Sequence, residues 1–340
     1  MSETVPDSRA APSSLGDEGR WHGRAFGFGL DGAFPARGLF DGHSGSDLRR
    51  TSLELVSGRV LEDAWSRNDA QPLRDLRDAE GGRLLAIEEH PELGYRLDAP
   101  AYGRYVLSRD GSLVLCDPNQ IADWEWQAFL IGQVLPLAAV LHGLEAVHAS
   151  AVGLAGHAVA LVADSHGGKS SLAVNLALRG ASFVTDDVLA LERRGQRIVA
   201  HPGAGITSVR HAEASAIGQT ALERLGTVVG RDEHELRVAV EREQRELPLG
   251  AIYFIVRSDQ PGEPVVEEIS PPDPRLLLGS TFNGFVRATD RLVNQLDLYA
   301  HTARTVPVFR AIISPGVSAQ TLAGSVEAHA LSAIEGRAGS

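Results

Sequence analysis

Scarcity is the first property of this chain. One cysteine, Cys116, stands among 340 residues, which excludes an internal disulfide framework and a cysteine-rich zinc site. One lysine, Lys169, stands among 32 basic residues, so arginine serves at every other basic position. Positive charge is not in excess either, because the formal net charge is −12. A surface of that sign repels a phosphate backbone, so no nucleic-acid partner is expected. A long hydrophobic run is also missing. The longest, Phe129 to Leu141, holds Gln133 and Pro136 and falls short of a bilayer span. Met1 to Gly19 is polar and acidic, without the apolar segment of a secretory signal. No membrane partner and a cytoplasmic location are therefore expected.

What is present suffices for a sizeable core. With 43% hydrophobic residues over this length, about two domains are expected. Under a bias toward arginine, a lysine kept at one place suggests a role that arginine cannot fill. A compact ammonium on a flexible stem, reaching among phosphate oxygens, is such a role.

The residues around Lys169 fit it. The apolar run Ala158–Val162 leads into Ala163-Asp164-Ser165-His166-Gly167-Gly168-Lys169-Ser170-Ser171, and a helical pattern follows to about Arg179. Strand, Gly-rich turn and helix in that order form a phosphate-binding loop, whose backbone N–H groups face an anion at a helix N-terminus. Gly167 and Gly168 allow close backbone approach, Lys169 supplies charge, and Ser170 supplies a hydroxyl for Mg²⁺. Ala163 takes the place of the motif's first glycine, which alanine tolerates if φ stays negative.

Such a site also needs a carboxylate near the metal. Asp186 and Asp187 end a short apolar strand, Ala181–Val184, which follows the loop helix and its Gly180 stop. Neighbouring residues on a strand point to opposite sides, so both serve one site only if the backbone turns there. One would then sit near Mg²⁺, and the other would accept the proton of an attacking hydroxyl.

Residues 1–20 read as a disordered tail, rich in Ser, Asp, Pro and Gly. From 21 to 120 the pattern favours short strands, at His22–Phe28, Leu53–Leu61, Arg83–Glu88, Tyr102–Ser108 and Ser112–Cys116. The last two are joined by Arg109-Asp110-Gly111, and Asp63–Gly82 reads as helix or loop. Ile121–Gly143 reads as one buried helix bent near Pro136, with Trp124 and Trp126 as core residues. Beyond it come strands Ala146–Leu154, Val188–Glu192, Arg197–His201, Leu236–Val240, Ala251–Arg257 and Val265–Ile269, the last two as a pair. Ala212–Leu225, Pro272–Leu278, Asp290–Arg304 and Ser318–Ile334 read as helices, and Pro307–Ile313 as a strand. The fold class is mixed α/β, with a small β-rich domain at 21–120 and a phosphate-binding domain at 121–340.

Taken together, His148-Ala149-Ser150-Ala151-Val152, the loop, Leu176-Ala177-Leu178-Arg179-Gly180 and Thr185-Asp186-Asp187 resemble the catalytic core of the HPr kinase/phosphorylase family. Its shorter-loop relatives in peptide natural-product pathways, including kinases of lasso-peptide precursors, are especially similar. The family has a histidine ahead of its loop strand, a G-x-S-G-x-G-K-S loop, an R-G after the loop helix and an A-D-D strand end. The resemblance implies ATP and Mg²⁺ as cofactors. Asp164, Ser165, His166, Gly167, Gly168, Lys169, Ser170 and Ser171 would cradle the phosphates. Ser170 and Asp186 would attend the metal, and Asp187 would be the base for a substrate serine. His148 would lie near the transferring phosphate, and Arg210 matches an arginine after the nucleotide core.

This chain departs from that pattern in two places. Ala163 and His166 replace loop glycines. Thr207-Ser208-Val209-Arg210-His211 stands where the family has L-E-I-R-G, so that motif's acid is absent and phosphorolysis is not implied. The expected function is transfer of a γ-phosphoryl group to a serine of a peptide or small protein. Alternatives are a small-molecule kinase, for free serine or a sugar, and a non-catalytic nucleotide-binding module. A homo-oligomer is compatible with each.

Overall fold

The computed structural model describes residues 20–36, 38–39, 49–65, 68–164 and 166–338. The expected tail lies outside these except for Arg20, and so does Ser165. Among the described residues the architecture is mixed α/β, with three sheets.

The first sheet opens with a hairpin. β1 (Trp21–Ala25) and β2 (Phe28–Gly32) are antiparallel, and the connecting Phe26 and Gly27 have φ of 53° and 88°. Two successive positive φ values suit the twist of a tight hairpin. Burial of the Phe26 ring, 2% exposed, offsets the strain of a non-glycine residue there. The expected single strand His22–Phe28 is thus broken at a turn that carries no Asn-Gly or Asp-Gly signal.

The expected strand Leu53–Leu61 is likewise divided, into β3 (Arg50–Leu55) and α1 (Gly58–Asp63). β4 (Gln71–Arg77) lies in the polar stretch read as helix or loop. It is an edge strand, mostly exposed and charged with Pro72, and edge strands of that kind lack apolar alternation. β5 (Arg83–His90), β6 (Gly94–Ala99), β7 (Gly103–Leu107) and β8 (Leu113–Pro118) complete the order β1-β2-β3-β8-β7-β6-β5-β4. The β7–β8 hairpin turns through Gly111 at φ 75°, as its sequence predicts.

The expected long helix runs unbroken from Asp123 to Leu141 but widens just before Pro136. α2 (Asp123–Phe129) passes through a π-helical turn, Leu130–Val134, into α3 (Leu135–Leu141). Pro136 lacks an N–H, so the regular ladder cannot continue through it, and the wider turn precedes it. With its first turns included, the stretch Asp123–Leu141 is long and apolar enough to cross a membrane, at mean hydropathy 1.2, and 56% of that window is buried in the fold. Leu130, Val134, Leu135 and Leu137 pack with Phe28, Leu97 and Tyr105 of the first sheet.

The rest of the chain follows the order β9 (Glu145–Val147), β10 (Ala149–Leu154), β11 (His157–Val162), α4 (Lys169–Leu178), β12 (Ser182–Thr185), β13 (Leu189–Arg194) and β14 (Arg197–His201). Then come β15 (Ile206–Arg210), α5 (His211–Ile217), α6 (Gln219–Leu225), β16 (Gly226–Arg231), β17 (Glu235–Val240) and β18 (Leu247–Arg257). The chain closes with β19 (Val265–Glu268), α7 (Arg275–Gly279), α8 (Thr289–Thr305), β20 (Val308–Ile313) and α9 (Ala319–Ala338). The helix read over Ala212–Leu225 is two helices, because Gly218 adopts φ 82° between them. β19 pairs with β20 rather than with β18, since β20 inserts beside β18.

The second sheet runs β12-β10-β11-β18-β14-β13-β9, with β20 and β19 beyond β18. Its strands are covered on both faces. Along β11, Ala158, Ala160 and Val162 join a core with Leu298 and Tyr299 of α8, whereas Val159 and Leu161 join one with Leu172 of α4 and Val326 of α9. Two-sided burial explains why this stretch reads as a continuous apolar run. β15, β17 and β16 form a third sheet, packed on α4 through Val209, Leu236, Val238 and Val174.

Candidate active site

The site is built where β11 delivers the loop to α4. Gly168 has φ 101° and precedes the first helical residue, and Leu172 N donates to Gly168 O at 2.9 Å. Gly167 N donates to Asp164 O at 2.8 Å, closing the turn. A Cβ at Gly167 would meet Ala163 Cβ at 2.6 Å, so glycine is required there. Ala163, absent from the positive-φ residues, accommodates its Cβ without strain.

Lys169 points back along the loop and is only 6% exposed. Burial lowers its pKa, and the charges of Asp187, Asp186 and Asp164 oppose that shift. Its Nζ donates to His148 Nε2 at 3.0 Å and to Ala163 O at 3.4 Å. The other ring nitrogen, Nδ1, faces Asp187. That nitrogen lies 3.1 Å from the Asp187 carbonyl oxygen and 3.3 Å from Asp187 Oδ1. A chain of polar contacts thus links Lys169, His148 and Asp187.

His148 stands where it does because the expected strand Ala146–Leu154 is interrupted. β9 pairs with β13, β10 pairs with β11 and β12, and His148 falls in the gap with its N–H bonded to Ser280 O. Its ring stacks on Phe282 at a centroid separation of 6.2 Å.

The acidic pair separates into two environments. Asp186 Oδ1 accepts from Ser150 Oγ at 2.6 Å, Ser170 Oγ at 2.8 Å and the Asp187 N–H at 2.9 Å, while Oδ2 accepts from Thr207 Oγ1 at 2.7 Å. Asp187 adopts φ 68°, and Val188 N bonds back to Asp186 O at 2.9 Å. This tight reversal is the backbone turn that lets adjacent acids serve one site. The Asp187 side chain is 53% exposed. Surrounding protein nevertheless raises its pKa, and Asp186 adds to the rise; His148, then Lys169 and Arg237, pull it down.

The remaining candidates sit around this centre. Asp164 and His166 are exposed on the loop, and His166 adopts φ 62°. Its Nδ1 lies 2.7 Å from Arg210 Nη2, so Arg210 meets the loop and not the carboxylates. Ser171 Oγ donates to Glu213 Oε2 at 2.6 Å, and Asn175 Nδ2 donates to the same carboxylate at 3.2 Å. Burial raises the Glu213 pKa; the Ser171 bond lowers it, and Asp186 repulsion raises it further.

Sequence reasoning assigned no role to Ser150, Thr207, Glu213, Arg237 or Phe282. Thr207 and Arg237 lie on paired strands, β15 and β17. The expected strand Leu236–Val240 includes Arg237, whereas no strand is expected over 206–210, and Phe282 and Glu213 carry no signal.

Among the described residues no group of three or more His, Cys, Asp or Glu could hold a metal alone. Ser170 and Asp186 together suit Mg²⁺, which is bound through few protein oxygens plus substrate phosphates.

No family model matches the chain, and no curated protein matches it in sequence. Among solved structures it is similar to the Hpr(Ser) kinase/phosphatase from Coxiella burnetii, at 17% identity over 57% of this chain and 95% of that one. The TM-score of that superposition is 0.32, too low for the likeness to assign a function.

Proposed function

We propose that this chain is an ATP-dependent kinase transferring the γ-phosphoryl group to a serine hydroxyl of a peptide or small protein. The observation that carries the reading is the convergence of Lys169, His148 and Asp187 beside the Ser170–Asp186 pair. In this reading the backbone N–H of Gly168, at the start of α4, binds the phosphates of ATP together with Lys169. Ser170 and Asp186 hold Mg²⁺, which neutralises charge on those phosphates. Asp187 takes the serine proton as the serine oxygen bonds to the γ-phosphorus and the bond to the β-phosphate oxygen breaks, releasing ADP. Its raised pKa favours this role, because a base nearer neutrality accepts a proton more readily. His148 orients Asp187 and Lys169.

The resemblance of the segment 148–210 to kinases of peptide natural-product pathways supports a precursor peptide as acceptor. We further propose that residues 21–120 form the acceptor-side unit and 121–340 the kinase unit of a cytoplasmic protein. Incubation with radiolabelled ATP, Mg²⁺ and serine peptides tests the reading. Label should move to a peptide with the native chain and not with Lys169→Ala, which should also lose nucleotide binding. Nucleotide binding without transfer to any acceptor would instead indicate a non-catalytic module.

A further inference from the structure

The third sheet has a second face. Val209 and Leu236 turn one way, into the core against α4. Their neighbours therefore turn the other way, and the register places Ser208, Arg237 and Gly230 in one row across β15, β17 and β16. The Trp124 ring lies directly over Gly230, where a Cβ would overlap it, so α2 covers that end of the row. Arg210 and Glu235 form the next pair on the same face.

The guanidinium of Arg237 is incompletely used. It donates to Ser208 Oγ through Nη1 and contacts Glu235 Oε1 through Nη2 at 2.8 Å, while Nε is shielded from water and has no partner. A donor left in that condition favours any movement that gives it an acceptor. The side chain is 30% exposed, and moving it sacrifices no bond at Nε. The row also reaches the loop. Arg210, two residues beyond Ser208 on the same face, lies 2.7 Å from His166 of the loop. The charge of Arg237 is among those felt at Asp187.

We infer that Arg237 is a specificity residue that binds a carboxylate of the acceptor adjoining the hydroxyl to be phosphorylated. The inference rests on the kinase reading proposed above and names the class of acceptor. A guanidinium matches a carboxylate in shape and can donate two parallel hydrogen bonds to it. Glu235 now holds one edge of that guanidinium, a ligand carboxylate would take its place, and the charge of Arg237 already acts on Asp187.

The test compares short serine peptides that differ only in Asp or Asn beside the serine, labelled with a dye. Binding is read by fluorescence anisotropy with Mg²⁺ and ADP present, and transfer is read separately with ATP. A further pair, with serine at the C-terminus as free acid or amide, distinguishes a side-chain carboxylate from a chain terminus. The native protein should prefer the anionic member of a pair by about tenfold, Arg237→Gln should bind both members alike, and Arg237→Lys should keep part of the preference. The KM for ATP should stay within about twofold in both variants, since Arg237 acts on the acceptor alone. Equal binding of both members by the native protein, binding of neither, or a preference that survives Arg237→Gln would overturn the inference. A rise in the ATP KM of the variants would overturn it too, by assigning Arg237 to the nucleotide. Preferential binding without transfer would count against the kinase reading and leave the assignment of Arg237 standing.

Discussion

Two carboxylates flank the second sheet, and both have raised pKa values for the same first reason, burial. Glu145, on β9, is 5% exposed and fully engaged. Arg291 Nη2 and Gln295 Nε2 donate to its Oε1 at 2.7 and 2.8 Å, and Arg291 Nη1 also reaches the carbonyls of Asn283 and Val286, each at 2.7 Å. Asp187 is half open, held in a left-handed turn, and faces a histidine and a lysine that have other partners. The first acid ties α8 to the sheet. The second keeps an oxygen and a polar contact free for a ligand. A raised pKa alone therefore does not mark a site; unspent hydrogen-bonding capacity on an exposed side chain does.

The comparison breaks first at Asp187. Asp187→Asn should lower turnover about a thousandfold, or about 4 kcal/mol of transition-state stabilisation, with nucleotide binding retained. Single-turnover transfer measures this, and near-normal turnover would remove Asp187 as the base. The same change should leave folding intact or strengthen it at neutral pH. An acid whose folded pKa is raised stabilises the fold only while protonated, and that contribution is lost as pH rises through the folded value.

At Glu145 the outcome should reverse. Arg291→Met leaves a buried carboxylate unpaired and should cost about 3 kcal/mol of stability in urea denaturation. The folded fraction should keep its activity. Replacing both partners, Glu145→Leu with Arg291→Met, should recover much of that loss, and a double variant as unstable as the single would show that the pair contributes more than neutralisation.

A smaller effect is expected at Gly230, where a methyl group overlaps the Trp124 ring. Gly230→Ala should destabilise by about 2 kcal/mol, seen in the same denaturation experiment, and an unchanged midpoint would show that α2 moves freely over the third sheet. The smallest effect is a shift of a pH profile. The acid limb of turnover should lie above the ordinary carboxylate value of about 4. Because His148 lowers the Asp187 pKa, His148→Ala should move that limb further up in pH, measured on residual activity.

Legibility in the sequence followed the range of the interaction involved. β11, the Gly-rich loop, α4 and the Asp pair lie within a few dozen residues, and each carries its own local signal. The alternation of apolar residues, the glycines and a lone lysine are physical requirements that a chain displays before it folds. The division of Ala146–Leu154 at His148 was not visible, because it depends on β13 pairing with one half and β11 with the other. Phe26-Gly27 carried no familiar turn signal, since a buried ring offsets its strain. β4 lacked apolar alternation because only one of its edges is paired.

By itself, then, the sequence determined the strand, Gly-rich turn and helix around Lys169 and that two acids follow them in the chain. It could not assign their roles, because those roles are set by partners remote in the chain. Ser150, Ser170 and Thr207 donate to Asp186, while the left-handed turn at Asp187 swings its carboxyl to His148. A hydrogen-bond partner is a matter of position in space, and only the tertiary structure brings Thr207 to a strand end that precedes it in the chain by 21 residues.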